Sequence, residues 1–352
     1  MNQPKSLAFI NNKGGVGKTT LACNMAYYLS KEANRRVLVV DLDPQCNATQ
    51  LLLSDTQWDE LYGDLSLKDD KRSILHALRW IRRGDSGVDR TYEPVRSERF
   101  EVDVLPGHPS LAILEDTFSS SWESFVSGDL GGGRRTHWVA ELVRGAMDYD
   151  LVILDAGPSL GALNRTVLIG TDYFVTPTAA DLFSLFAIDN IGEWIRKWAK
   201  KYTNGLASVR DEFENESEEF FPRGSGLEAT YLGFTIQQYV SKTISGGQRR
   251  NVNAYDRYKK QIPTKARKLA ALSSQPHQDS RRALNLHLDL GIVPHMFAMV
   301  PLAQARHAPI SALLPSDGLK GAQISQQAKY RSQLQDIGAQ LIKNLEIVEG
   351  QH

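Results

Sequence analysis

The feature that most constrains this sequence is a glycine-rich loop between an apolar strand and a helix. Residues 7–10 (LAFI) are predicted to form a buried strand, residues 13–17 (KGGVG) a turn, and residues 18–31 a helix with apolar side chains at helical spacing. Residues 37–40 (VLVV) predict a second strand, and their unbroken apolar character indicates that both faces are covered, as in a parallel sheet. This strand–turn–helix–strand order is a βαβ unit, which predicts an α/β fold.

Further apolar runs predict five more strands. They are residues 100–105, 151–154, 173–176, 231–236 and 297–300. Helical patterns lie between several of them, at residues 74–83, 138–147 and 184–201. The alternation predicts a doubly wound, mostly parallel sheet flanked by helices.

Length and composition are those of an ordinary globular protein. The chain has 352 residues, 41% of them hydrophobic, and 41 basic against 41 acidic side chains, so binding driven by bulk charge is excluded. Two cysteines, Cys23 and Cys46, are too few for a disulfide framework or a Cys-rich metal site. No apolar run approaches the ~20 residues of a membrane span, and the apolar stretch near the N-terminus is too short for a signal peptide. We therefore expect a soluble, cytoplasmic protein.

Residues 11–20 (NNKGGVGKTT) have the composition of a phosphate-binding loop. Glycines let backbone N–H groups turn toward phosphate oxygens, and the N-terminus of the following helix adds a partial positive charge. Lys18 is expected to reach the β- and γ-phosphates, and the Thr19 hydroxyl to bind Mg²⁺. The predicted ligand contacts are Lys13, Gly14, Gly15, Val16, Gly17, Lys18, Thr19 and Thr20.

This loop departs from the common pattern GxxxxGK[ST] at its first position. Asn12 stands where the first glycine is expected, and Lys13 follows it. The resulting KGGVGKTT resembles the deviant Walker A motif of the ParA/MinD family of partition and positioning ATPases, which are P-loop NTPases. The resemblance implies ATP and Mg²⁺ as cofactors. It also implies that Lys13 reaches across a homodimer interface to the partner's nucleotide, where a second cation stabilises charge that develops during phosphoryl transfer.

Two acidic strand ends extend the resemblance. Residues 40–49 (VDLDPQCNAT) resemble the family's switch I, which implies that Asp43 positions the attacking water and that Asp41 supports the Mg²⁺ ligands. Residues 149–161 (YDLVILDAGPSLG) resemble the Walker B strand and switch II, which implies that Asp155 binds Mg²⁺ through water. Gly157 replaces the first proline of the usual pair. Carboxylates at the carboxyl ends of parallel strands face the ligand crevice.

Weaker matches concern the base of the nucleotide. Residues 300–309 (VPLAQARHAP) resemble a late strand-end loop that flanks adenine, which makes Pro301 a candidate for base contact. Gln237 and Gln238, at the end of the sixth strand, are further candidates. The resemblance leaves out residues 56–99, 202–229 and 241–289, which we interpret as helical and loop insertions in one domain spanning residues 1–352.

Charge is concentrated in the insertions. Residues 211–220 carry six acidic and no basic side chains, which predicts a solvated loop or helix face. Residues 242–268 carry nine basic side chains against one acidic one. Because relatives bind DNA non-specifically through surface Lys and Arg, this run predicts a phosphate-backbone contact; a solvated helix face and a protein-binding surface also remain open. The candidates are Arg249, Arg250, Arg257, Lys259, Lys260, Lys265, Arg267 and Lys268. The basic segment 71–83 is a second candidate.

The resemblance as a whole predicts a ParA-like Mg²⁺-dependent ATPase, slow on its own. ATP would drive a homodimer that binds non-specific DNA, and a ParB-like or other activating partner would stimulate hydrolysis. A competing interpretation is a MinD-like ATPase on a membrane surface. The amphipathic segment 330–348 carries few cations, however, and is expected to pack on the sheet. Two further interpretations are a ligase-type relative that activates a small carboxylate, and a ParA-type switch whose insertions dock another protein system.

Overall fold

The computed structural model describes residues 3–63, 70–221, 227, 229–237, 252–273, 285–296 and 298–350. Three of the predicted site residues, Gln238, Arg249 and Arg250, lie outside these ranges. Within them, the chain forms eight strands of one sheet. The strands are β1 (Lys5–Phe9), β2 (Val37–Leu42), β3 (Val95–Ser97), β4 (Val102–Leu105), β5 (Leu151–Ala156), β6 (Tyr173–Ala179), β7 (Thr230–Gln237) and β8 (Asp289–Val293).

The strand order is β3-β4-β2-β5-β1-β6-β7-β8. Every neighbouring pair is parallel except the edge pair β3 and β4, which is antiparallel. This arrangement confirms the predicted doubly wound, mostly parallel sheet. Since Phe9 and Asp41 both lie beside Asp155 in the register, β1, β2 and β5 end at the same level. The loops that follow these three strands therefore meet at one edge of the sheet.

Helices cover both faces of the sheet. They are α1 (Lys18–Lys31), α2 (Asn47–Leu52), α3 (Asp55–Tyr62), α4 (Ile74–Ala77), α5 (Arg79–Arg82), α6 (Leu114–Val126), α7 (Leu130–Thr136), α8 (Trp138–Gly145), α9 (Ala162–Gly170), α10 (Leu182–Glu212), α11 (Glu214–Phe220), α12 (Val252–Lys259), α13 (Ile262–Ser273), α14 (Met299–Ala305) and α15 (Ala322–Glu349).

Two hydrophobic cores result, one on each side of the sheet. In β1, Leu7 and Phe9 join the core under α1, α2 and α15, whereas Ala8 joins the core under α6, α8, α9, α10 and α13. Alternate residues of one strand enter opposite cores because successive side chains point to opposite faces. This two-sided burial explains why the central strands are apolar throughout.

One predicted strand is wrong. Residues 299–305 form helix α14, and the last strand is β8, ten residues earlier along the chain. Two apolar runs in this region are each followed by proline, at Pro294 and at Pro301. The first run is the strand because it pairs with β7 and packs its Gly291 closely against Ile337 of α15. Pro301 therefore lies at an exposed position of a helix rather than at a strand end.

Helix boundaries also differ from the sequence predictions. The segment 74–83 forms two short helices, α4 and α5. The helix predicted for residues 184–201 is α10, which continues to Glu212 because apolar residues such as Leu206 and Val209 keep its inner face buried. The predicted packing of the C-terminal helix is confirmed, since Leu334 and Leu341 of α15 are buried in the core.

Candidate functional site

The loop between β1 and α1 has the backbone shape that a phosphate group needs. Gly15 and Gly17 have φ angles of +74° and +72°, in the left-handed region that favours glycine. An ideal Cβ atom on Gly14 or Gly15 would meet nothing within 4 Å, so the outer side of the loop faces open space. Helix α1 begins at Lys18, and its free N–H groups lie at the same place. The loop thus has the backbone shape of an anion-binding cradle at a helix N-terminus.

Lys18 carries the positive charge into this cradle. Its side chain is buried, its ammonium group donates to the carbonyl of Ala156 at the end of β5, and it lies 3.5 Å from the Asp155 carboxylate. Burying the lysine between α1 and β5 fixes its position, because an unpaired ammonium group there would be costly. The motif predicts that Lys18 reaches the phosphates, and the structure places it beside the loop.

Asp155 is a buried carboxylate with too few hydrogen-bond donors around it. It is fully buried, and neither of its oxygens meets the geometry of a hydrogen bond. Burial raises the pKa of Asp155, and the charge of Lys18 and the nearby Thr19 hydroxyl oppose this shift. Burial and the neighbouring Asp155 charge also raise the pKa of Asp41. Two buried carboxylates beside one lysine lack positive charge, so the donor set of Asp155 and Thr19 fits Mg²⁺.

Asp41 organises the segment that follows β2. One of its carboxylate oxygens accepts from both the N–H and the hydroxyl of Thr49, at 2.8 and 2.7 Å, and the other accepts from the Asp43 N–H at 3.1 Å. The Thr49 hydroxyl in turn accepts from the Gly107 N–H at 2.9 Å. The Tyr62 hydroxyl donates to the Gly107 carbonyl at 2.6 Å. These contacts hold Asp43, which is itself buried, at the mouth of the site.

Sequence reasoning missed Tyr62 and Gly107, which belong to this network. Both lie outside the motif that contains Asp41 and Asp43, and Tyr62 lies in a segment that the resemblance does not cover. Only the fold brings them beside Thr49.

The Lys13 side chain contacts the start of α10 rather than the phosphate loop. Its ammonium group pairs with Asp181, which precedes α10, and lies 3.4 Å from the Ser184 hydroxyl. Burial raises the pKa of Asp181, but hydrogen bonds from Lys13 and Ser184 outweigh it and leave the pKa below its usual range. Asp181 is a further site residue that sequence reasoning missed, since nothing in its local pattern marks it as a partner of Lys13.

The two candidates for base contact lie in different places. Gln237, at the end of β7, lies against the loop, since its Oε1 is 3.1 Å from an ideal Cβ on Gly17. Pro301 lies on α14, which packs on α2, and is exposed to solvent. The structure therefore brings Gln237 to the phosphate loop and removes the strand-end argument that favoured Pro301.

A family model described as an AAA domain matches residues 4–208. A ParA family protein of the virulence plasmid of Chlamydia psittaci, pGP5-D, is 28% identical over 248 residues, which are 70% of this chain and 82% of that protein. The crystal structure of protein DIP2308 from Corynebacterium diphtheriae is 31% identical, with a TM-score of 0.73 over 97% of this chain and 98% of that one. The chain belongs to the ParA/MinD-like P-loop ATPases.

A more distant structure shares the fold of this ATPase. It is a putative plasmid partition protein from Borrelia burgdorferi, bound to AMPPNP, which is 16% identical with a TM-score of 0.55 over 95% of this chain and 98% of that one. In the described part of this ATPase, no helix is both long and apolar enough to cross a membrane.

The described basic candidates of this ATPase lie on α12, on α13 and in the turn between them. Helix α13 packs on α10 and β7, and α12 packs on α13. Lys259 is half-buried, and Lys265 forms an ion pair with Asp189 of α10. The exposed candidates are Arg257, Lys260, Arg267 and Lys268. These four solvent-exposed cations of α12, α13 and the turn between them are here called the α12–α13 basic face.

The second basic segment is largely paired with carboxylates. Lys71 lies 3.3 Å from Glu93, Arg72 lies 2.8 Å from Asp70, and Arg79 pairs with Asp89. Pairing lowers the field that these cations present to an anionic partner. The α12–α13 basic face is therefore the stronger candidate for binding an anionic partner.

Proposed function

We propose that this ATPase is a ParA-like, Mg²⁺-dependent nucleotide switch for DNA partition or cargo positioning. Its ATP-bound form is a homodimer that binds non-specific DNA, and hydrolysis stimulated by a ParB-like or other activating partner resets it. The observation that supports this proposal best is the grouping of Lys18, Thr19, Asp43 and Asp155 around an open phosphate loop, with Lys13 at its rim. The fold it shares with a partition protein that binds a nucleotide analogue agrees with this proposal.

The mechanism rests on positioning and charge. Lys18 exchanges the Ala156 carbonyl for phosphate oxygens, and the N–H groups of residues 14–19 bind the remaining oxygens. Thr19 and Asp155 hold Mg²⁺, which when bound neutralises negative charge on the phosphates, and Asp41 supports this arrangement. Asp43 orients the attacking water. The contacts between Asp41, Thr49 and Gly107 keep Asp43 in place.

Formation of the homodimer requires Lys13 to change partners. In a single chain Lys13 is neutralised by Asp181, and in the dimer it exchanges this carboxylate for phosphate oxygens across the interface. The start of α10, directly after Asp181, exposes Leu182, Phe183 and Phe186 by 42%, 71% and 52%. Exposed aromatic side chains beside the site are the kind of surface that a protein interface covers, and here a second copy of the chain covers them.

The test uses an Asp43→Ala variant, in which ATP persists because the attacking water is not oriented. We expect dimers in size-exclusion chromatography with light scattering only with ATP and Mg²⁺, and none after adding Lys13→Ala. A Lys197→Ala change on the exposed side of α10 serves as the matched control. A Lys13→Ala variant that binds ATP and still dimerises would remove the proposed role of Lys13.

The Asp43→Ala variant also tests DNA binding. Binding is measured on a non-specific duplex with ATP, with ADP and without nucleotide, each over a salt series. Binding should require ATP and fall steeply with salt, because phosphate contacts release counterions. Charge reversal of Arg257, Lys260, Arg267 and Lys268 should weaken binding and flatten its salt dependence. Reversal of Lys329 and Lys343, exposed cations on α15 on the other side of the sheet, should do neither.

Two outcomes would redirect the assignment. Absence of DNA binding in every nucleotide state would exclude DNA as the binding partner and favour a protein partner docked on the insertions or a membrane surface. Co-sedimentation with anionic vesicles in the presence of ATP would favour the membrane surface. ATP turnover that needs a small carboxylic acid would favour a ligase-type reaction.

A further inference from the structure

The loop of residues 157–161, between β5 and α9, is held by two side chains that the mechanism above does not use. This loop begins two residues after Asp155, at the end of β5, and reaches the mouth of the site. An ideal Cβ on its first residue, Gly157, would lie 3.5 Å from the Asp43 carboxylate. The position of this loop therefore limits where the Asp43 carboxylate and the attacking water can lie.

Asn164 holds the loop from the first turn of α9. Its side chain is 1% exposed. Its amide nitrogen donates to the carbonyls of Gly157 and Ser159 at 2.7 and 2.8 Å and approaches the Ser159 hydroxyl at 3.3 Å. One buried amide thus fixes two carbonyl groups that lie between the end of the strand and the start of the helix. Without it, both carbonyls would lose this donor, and the Gly157 carbonyl would lose it at a buried position.

Glu115 holds the start of α9 from a distant part of the chain. Its carboxylate, on α6, accepts from the N–H groups of Ala162 and of Leu163, the latter at 3.0 Å. These are the first two N–H groups of α9, which a helix leaves without internal partners, and a negative charge is favourable there. Gly161 permits the approach, because a Cβ at that position would lie 1.9 Å from Glu115 Oε1. Its φ of −77° is ordinary, so space rather than backbone conformation requires the glycine.

We propose that Glu115 and Asn164 are positioning residues for ATP hydrolysis, acting through the loop 157–161 on Asp43. Glu115 sets the start of α9 against α6, Asn164 ties the loop to α9, and the loop bounds the Asp43 carboxylate. This inference rests on the proposed ATPase function. Both residues lie outside the phosphate-loop motifs. Their role is to keep the attacking water aligned with the γ-phosphate, so they affect the chemical step rather than ATP binding.

The variants separate these contacts from the general packing of α6 and α9. Glu115→Ala removes both acceptors, whereas Glu115→Gln keeps one acceptor oxygen and places an NH2 donor where the other oxygen was. Asn164→Asp keeps the size of the side chain and removes the two donated hydrogen bonds. Gly161→Ala displaces Glu115 without changing it. Asp116→Ala, at an exposed neighbour of Glu115, is the matched control.

The first measurement is amide hydrogen exchange without nucleotide. Protection of Ala162 and Leu163 should be lost in Glu115→Ala and Gly161→Ala, kept at one of the two N–H groups in Glu115→Gln, and kept at both in Asp116→Ala. Asn164→Asp should raise exchange within the loop. The second measurement is steady-state ATP hydrolysis. We expect kcat to fall about tenfold in Glu115→Ala and Asn164→Asp, with KM for ATP changed less than about twofold.

Further comparisons decide between positioning and stability. Glu115→Gln, which keeps one of the two acceptors, should recover part of kcat. The double variant Glu115→Ala/Gly161→Ala should be no worse than Glu115→Ala, since both changes break the same contact. Unchanged kcat despite lost protection would overturn the proposal. So would a loss of kcat that follows the melting temperature and is not rescued by Glu115→Gln. A wild-type chain without ATP hydrolysis overturns the proposed function and this role together, whereas a hydrolysing wild type with unaffected variants overturns this role alone.

Discussion

At the scale of single residues, the phosphate loop has little room for a Cβ atom at Gly17. Gly17 combines a left-handed φ with close packing, since an ideal Cβ on it would lie 3.1 Å from Gln237 Oε1. We expect Gly17→Ala to cost about 1–2 kcal/mol in backbone strain and to move Gln237. ATP affinity, measured by titration with a fluorescent analogue, should fall about tenfold or more.

The control for this prediction is Gly84→Ala. Gly84 also has a positive φ, +93°, but a Cβ there would meet nothing within 4 Å. Its backbone strain should lower the unfolding free energy and leave ATP affinity unchanged. Equal losses of affinity in both variants would show that the Gly17 effect is only a loss of stability.

At the scale of elements, an ion pair joins the segment before β4 to the C-terminal region. The Arg99 guanidinium donates to both oxygens of Asp317, at 3.1 and 2.9 Å, and holds the pKa of that carboxyl below its usual range. A carboxyl whose pKa is lower in the folded state adds stability above its unfolded pKa of about 3.9, and this stability is lost as pH falls through the folded pKa.

We therefore expect Arg99→Ala to be less stable than the wild type at pH 7. Because Arg99 is partly exposed, solvent screening limits the loss to about 1 kcal/mol. The difference should shrink as pH falls below about 4, as urea unfolding at several pH values would show. A difference that stays constant down to that pH would indicate lost packing rather than a lost ion pair.

The last strand shows why some elements were not predicted correctly. Its apolar run competes with a second run before Pro301, and local pattern favours neither. Pairing with β7 and packing against α15 select β8. The core that α10 covers likewise sets the length of this helix. The helix ends at Glu212, eleven residues beyond the predicted end at Lys201.

At the scale of the whole molecule, α15 closes one of the two cores. Leu341 is 1% exposed within the core under α1 and α15, whereas Ile324 on the same helix is 50% exposed. Leu341→Ala should lower the unfolding free energy by about 3 kcal/mol, because it leaves a cavity. Ile324→Ala should change it by less than about 0.5 kcal/mol. Urea unfolding measures both, and equal effects would contradict the packing of α15 on the sheet.

The sequence by itself determined the fold class and the positions of Lys13, Lys18, Asp41, Asp43 and Asp155, because these residues lie in contiguous motifs whose spacing depends on one strand and one turn. The tertiary structure alone decided their partners. Asp181 and Lys13, Gly107 and Thr49, and Glu115 and the start of α9 are separated along the chain by 168, 58 and 47 residues. The order of strands sets such contacts, and local pattern carries no information about them, because they form only when the parallel sheet brings distant loops to one edge.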